Sequence, residues 1–444
     1  MKKVRKFILL IAMLFAIAAT ASCGGGGGGD DGGGGLSPSL PSGSLVSGFG
    51  ANGVVANNPS GGSDVAGVVK IDSTYMYVAG SDQAPGNGQW RIEKRLLSTG
   101  ALDASFGSSG VVVNNPSGNG DGVADIAIDS QYMYVVGSDE SPGLGNSQWR
   151  IEKRLLSTGA LDGSFGTAGV VVNNPSANGD WANAIAIDST YMYVAGTDNW
   201  IPGSSQWRIE KRLLSTGALD ASFGTAGVLV INPSGDNDVA IAIAIDSTYM
   251  YVAGLDYIPG NGQWRIEKRL LSTGALDASF GTAGVVGSNP STSEEYAFDI
   301  AIDSQYMYVA GSDQAPGNHQ WRIEKRLLST GALDASFGSS GVVVNNPSGN
   351  SDGVTDIAID SQYMYVAGHD RSLGASNGQW RIEKRLLSTG ASDASFGTAG
   401  VVVSNPSTTF DGAYAIAIAS QYMYVAGIDQ SLGNSQWRIE KRVK

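Results

Sequence analysis

The chain has one cysteine, two histidines and 14 prolines in 444 residues, and only 28 Lys and Arg against 41 Asp and Glu. A single cysteine excludes a disulfide framework and a Cys-ligated zinc site. The formal charge of -13 lacks the basic footprint that nucleic-acid binding requires. Proline is too sparse for a collagen or polyproline rod. Glycine is plentiful instead, with 63 residues, about twice its usual share. The composition is that of a turn-rich globular chain, long enough for a large core or several domains.

The N-terminus differs from the rest. Lys2, Lys3, Arg5 and Lys6 precede an uncharged apolar run from Phe7 to Ala19, and Thr20-Ala21-Ser22 leads to Cys23. A basic start, a short apolar run and small residues make a secretory signal, too short for a membrane span. Small residues directly before the sole cysteine resemble a bacterial lipobox. That resemblance implies cleavage before Cys23, acylation of Cys23 and attachment to the bacterial cell envelope, at the outer membrane or cell surface. Residues 23–43 then read as the lipidated cysteine and a Gly-rich flexible linker. Without residues 1–22 the chain keeps 24 basic and 41 acidic residues, a charge of -17.

An internal repeat decides the fold. Gln-Trp-Arg-Ile-Glu-Lys-Arg occurs seven times, with Trp at 90, 149, 207, 264, 321, 380 and 437, a period of 57 to 59 residues. Each unit also carries Tyr-Met-Tyr-Val and Asn-Pro-Ser. Four short segments per unit have strand character, as in Val111–Val113, Val123–Ile128, Tyr132–Val136 and Trp149–Leu155, with turn residues between them. In the last, Trp149, Ile151 and Lys153 alternate with Arg150, Glu152 and Arg154, so period two prevails over its helix formers. Seven four-stranded units, each too small to stand alone, predict an all-β chain: a seven-bladed β-propeller of antiparallel blades over residues 44–444. Residues 54–57 are expected to close the ring as the outer strand of the last blade. An open β-solenoid is the alternative.

The run Arg212-Leu-Leu-Ser-Thr-Gly-Ala-Leu-Asp-Ala-Ser-Phe-Gly-Thr-Ala-Gly-Val-Leu229, preceded by Ile-Ala-Ile-Asp and Tyr-Val-Ala-Gly, resembles the delta-60 repeat of bacterial envelope and secreted proteins. The likeness covers residues 44–444. It implies the propeller fold and the compartment, and brings no catalytic residue.

Comparison among the repeats places the candidate surface. Trp to the next Pro is always 26 residues and Pro to the next Tyr-Met-Tyr always 16, so all length variation falls between Tyr-Met-Tyr-Val-x-Gly and the following Trp. That loop, joining second and third strands, shares a face with the blade-to-blade crossover, and variation confined to one face is how a rigid scaffold presents binding loops. Fourteen repeated acids in these loops, with Asp125, Asp299, Asp356, Glu140, Asp236 and Glu294, predict a strongly negative face; alternatively, the repeated copies cap turns. Arg and Glu of the charged strand are expected to pair from blade to blade.

Unrepeated residues on this face are Trp181, Trp200, Tyr257, Tyr296, Phe298, His319, His369, Phe410 and Tyr414. Exposed aromatics there suit stacking on sugars or gripping a protein; local loop packing is the alternative. The two histidines have no unique Ser or Cys beside them, which gives no catalytic residue to name. Two crossovers, Ser117-Gly-Asn119-Gly-Asp121-Gly-Val-Ala-Asp125 and Ser348-Gly-Asn350-Ser-Asp352-Gly-Val-Thr-Asp356, place oxygen side chains in the spacing of the calcium loops of integrin-type propellers, which they resemble. Plain Asp-Gly turns are the competing reading, and calcium is the one cofactor the sequence suggests. The expected function is non-enzymatic: a monomeric, envelope-anchored propeller binding a protein, glycan or cation on its acidic variable face, with no nucleic-acid partner. A carbohydrate-active enzyme or a surface spacer is the alternative.

Overall fold

The computed structural model describes residues 40–200, 204–258 and 260–444; the expected signal peptide, Cys23 and most of the expected linker lie outside these. The described residues form 28 strands in seven four-stranded antiparallel sheets. Blades 1 to 6 each take four consecutive strands, spanning 65–114, 122–173, 179–231, 239–288, 296–345 and 353–404. Blade 7 joins the three strands of 412–443 to Val54–Asn57. The fold is the seven-bladed propeller that the repeat predicts, closed as expected.

The closing segment is longer than four residues. Val54 to Asn57 pair with Glu440 to Trp437, Leu45 bridges Arg442, and the Gly43 N–H donates to the Val443 carbonyl at 2.8 Å. Ser42 also accepts from the Gly397 N–H at 2.9 Å, as Thr158 accepts from Gly107 between blades 1 and 2. Residues 42–57 thus replace both the turn and the outer strand of an ordinary blade, so Gln436–Val443 is not left as an open outer edge.

The Gln-Trp-Arg-Ile-Glu-Lys-Arg strand holds neighbouring blades together because both of its faces are buried. Trp90 and Ile92 are fully buried, and the Trp90 indole N–H donates to the Ser138 carbonyl of blade 2 at 3.0 Å. Trp437 closes the ring on Ser81 in the same way at 3.1 Å. The charged face departs from expectation: Arg91 and Arg95 both clamp Glu93 of their own strand at 2.7 Å, and Arg91 also reaches Asp82 of the adjacent strand at 3.3 Å. Arg–Glu pairing is therefore within the blade, since residues two apart on a strand already share a pleat face. Neighbouring blades are joined on this side by Arg150 lying over the Trp90 ring and by Asn114 donating to Glu152.

The Leu-Asp-x-Ser-Phe-Gly loop is structural throughout. Asp162 accepts from the Lys153 ammonium at 2.9 Å and from Ser164 at 2.7 Å, while Phe165 is fully buried against Tyr134 and the Gly217 turn of the next blade. At Gly166, φ is +54° and a Cβ would meet the Val170 carbonyl, so only glycine fits.

Candidate functional site

The crossovers and the loops joining second to third strands share one face of the ring, and that face is not the strongly negative surface expected. All fourteen repeated acids are buried, none more than 4% exposed. Asp121 shows why. Its carboxylate accepts from the Ser117 N–H and hydroxyl and from the Glu140 N–H, at 3.1, 2.8 and 2.9 Å. It thereby pins the crossover to the variable loop. Asp139 accepts from Ser141 and Gln148 and pairs with Arg150. These acids cap turns, as Asp does where backbone N–H groups need an acceptor. Burial raises the pKa of Asp64, Asp121, Asp180, Asp238 and Asp352, and takes Asp411 to about 6. Glu140 and Glu294 remain half-exposed there, and Asp236 exposed.

The four calcium-loop residues of each motif do not converge. Ser117 is spent on Asp121, Asn119 donates its side-chain N–H to the Glu140 carbonyl, and Asp125 turns away to accept from Ile126 and from Ile185 of blade 3. The second motif repeats this: Ser348 bonds Asp352, Asn350 donates to the Arg371 carbonyl, and Asp356 accepts from Ile357 and from Ile416 of blade 7. Blade 3, where Trp181 and Ala184 replace the Gly and the last acid, builds the same turn around Asp180. Among the described residues no group of three or more His, Cys, Asp or Glu is placed to hold a metal. The spacing encodes a turn because Asp at the fifth position is the cap, and the ninth position already belongs to the inner strand.

The unrepeated aromatics gather in two groups. In blades 3 to 5, Trp181 and Trp200 lie 5.1 Å apart above Gly179. Trp200, Tyr257 and Phe298 pack on a small core of Val239, Leu255 and Tyr296. Tyr257 and Tyr296 both donate to Glu294, at 3.2 and 2.8 Å, Phe298 stacks on Tyr296 at 5.6 Å, and His319 stands beside Tyr296 and meets Gln314 at 2.7 Å. In blades 6 and 7, the Phe410 ring meets His369 edge-on at 5.0 Å and carries the Arg371 guanidinium at 5.2 Å. Burial holds His369 down at about 3, so it is neutral at physiological pH. Tyr296 is core, and the others are half-buried, so loop packing and a partly open surface are both realised. Blades 1 and 2 carry no such group among the described residues.

Two features were missed in the sequence. The first is apolar loop tips. Leu144 is 85% exposed, Leu432 64%, Ile258 56% and Leu373 54%, each in the second-to-third-strand loop of blade 2, 7, 4 or 6. Their signal is a large aliphatic residue amid Gly, Ser, Asn and Pro in a loop that differs among blades. The second is the axial channel. Every inner strand carries a bulge, in blade 1 between Ala66 and Val68. The extra residue and its successor are where the repeats diverge: Gly67-Val68, Ala124-Asp125, Asn183-Ala184, Ile241-Ala242, Phe298-Asp299, Thr355-Asp356 and Tyr414-Ala415. A bulge re-aims side chains beside a functional opening. Lys70 stands alone where the other six repeats have Ala, and lies 3.5 Å from Asp125.

No family model and no curated protein matches the chain. Among solved structures, Drosophila semaphorin 2a aligns at 10% identity over 90% of this chain and 76% of that one, with a TM-score of 0.47. Extracellular domains 1-2 of Drosophila semaphorin 1b align at 7% identity over 87% and 86%, with a TM-score of 0.44. Sqt1 from Chaetomium thermophilum aligns at 10% identity over 88% and 100%, with a TM-score of 0.44. The fold assignment rests on the strand pairing.

Proposed function

We propose that this delta-60-like propeller is a non-enzymatic binding scaffold, tethered to a bacterial envelope through acylated Cys23, and that its variable-loop face holds a protein partner. The observation that carries this reading is the set of four exposed aliphatic tips, Leu144, Ile258, Leu373 and Leu432, on the face where loop length varies. Each tip stands on a different blade, so among the described residues they offer separate apolar contact points around the rim of one face, which suit a broad protein partner better than a sugar, whose hydroxyls need polar groups. The half-exposed aromatics of blades 3 to 7 add anchors of the kind that dominate such interfaces. Residue 42 joins the ring at the turn of Gly397, and Lys444 bonds Gln421, so both ends of the described chain lie on the opposite, invariant-loop face. A tether leaving there directs the variable loops away from the membrane.

Proximity labelling from the full chain in its native envelope, compared with a Leu144→Ser, Ile258→Ser, Leu373→Ser, Leu432→Ser variant, tests the surface. The expected outcome is one or a few proteins labelled by the wild type and lost with the variant. Identical labelling overturns it. Cys23→Ser is expected to move the protein out of the membrane fraction; unchanged fractionation refutes the anchor.

A further inference from the structure

The axial channel carries four charges in a ring whose repeats otherwise place Ala or Val there. Three of them do the same mechanical task. Asp125 accepts from the Ile185 N–H of blade 3 at 3.1 Å, Asp299 from Ile357 of blade 6 at 2.9 Å, and Asp356 from Ile416 of blade 7 at 2.7 Å. Each carboxylate therefore ties its own inner strand to the next. Asp299 and Asp356 also meet: the Ile357 N–H is shared between Asp299 and Asp356, which accepts it at 2.8 Å. Two carboxylates converging on one N–H repel unless a proton lies between them.

We propose that Asp299 and Asp356, faced by Lys70 across the channel, form a proton-operated clasp that holds the inner strands of blades 5, 6 and 7 together while the pair keeps a proton and loosens them when both ionise. The charged groups acting on Asp356 are Asp299 from blade 5 and Lys70 from blade 1, and Lys70 is itself paired with Asp125 of blade 2. Blade 7 offers it the Ile416 N–H. Desolvation at this half-buried position, then Asp299, raise the pKa of Asp356 well above the ordinary range, and Lys70 only partly offsets this. A raised carboxyl pKa means that the folded ring holds a proton which the unfolded chain releases. Its contribution to stability is thus complete at acid pH and is lost as pH rises through the folded value. The inner strands it joins also carry the bulged residues Phe298, Thr355 and Tyr414, so loosening the clasp shifts these side chains too.

Asp356→Asn keeps an oxygen for Ile416 and supplies a permanent N–H toward Asp299, copying the protonated state. Thermal unfolding of the full chain between pH 5 and 8.5 is expected to show a decline for the wild type that is reduced in Asp356→Asn and in Asp299→Asn; other titrating groups are common to all three and cancel. Parallel curves overturn the clasp. Infrared spectroscopy of the wild type supplies a second readout independent of variant folding: a protonated-carboxyl band at pH 6 that bleaches at higher pH and weakens in Lys70-retaining Asp299→Asn. Absence of any such band at pH 6 equally overturns it.

Discussion

The two faces of the ring are built from the same seven repeats and obey different rules. On the invariant face the Leu-Asp-x-Ser-Phe-Gly loops spend their distinctive side chains on the fold: the Asp on Lys and Ser, the Phe in the core, the glycines on positive φ. On the variable face the repeated acids form an equally fixed frame, but it is buried, and above it the exposed Asn of each Asn-Pro-Ser turn is joined by side chains that differ from blade to blade. Repetition in a sequence thus marks scaffold on both faces. Difference between blades, by contrast, is concentrated in the loops of one face.

The largest effect should come from the invariant face. Phe165→Ala removes a fully buried ring that packs on Tyr134 and on the Gly217 turn of the next blade. A buried Phe truncated to Ala costs about 3–5 kcal/mol, which denaturant unfolding would register as a lower midpoint. A loss under about 1 kcal/mol would mean that the invariant loops are not the scaffold argued here.

An intermediate effect is expected where the buried frame has one irregular member. Six crossovers use Asp and blade 5 uses Glu295. The longer side chain accepts from the Ser291 N–H at 2.6 Å but leaves its second oxygen buried without a partner. Burial pushes its pKa up to about 7. Because the folded value exceeds the ordinary one of 4.5, this group favours the folded state most at acid pH and loses that advantage as pH rises toward 7. Glu295→Asp restores the geometry of the other blades, so it should raise the melting temperature at pH 8 more than at pH 5. An equal change at both pH values would show that the unpartnered oxygen is not what sets blade 5 apart.

The sequence carried the fold almost completely, because a 57- to 59-residue period with alternating Trp149, Ile151 and Lys153 leaves little choice of architecture. The closure was legible in Val54–Asn57, although the turn supplied by Ser42 and Gly43 was not, since Pro41-Ser42-Gly43 replaces a Ser-Thr-Gly turn without copying it. The site was legible in part. The variable face and its aromatics stood out by their departure from the repeat. The exposure of the acids did not, because Asp looks the same in a sequence whether it faces water or caps three donors. Lys70 and Asp125 meet across blades only when a bulge turns the inner strand, and a single-residue insertion relative to a partner strand leaves no mark in one chain read alone.

The smallest effect sharpens the comparison most. Leu144, Ile258, Leu373 and Leu432 are more than half exposed, so replacing any one with Ser removes little buried apolar area. Surface substitutions away from caps and buried contacts stay within about 0.5 kcal/mol. Leu144→Ser, the most exposed, should therefore leave the unfolding midpoint unchanged within error while reducing capture of the partner. A drop above about 1 kcal/mol would show Leu144 packed on its neighbours as Phe165 is. The variable face would then be scaffold like the invariant one, and the aliphatic tips would no longer identify a surface shaped for another protein.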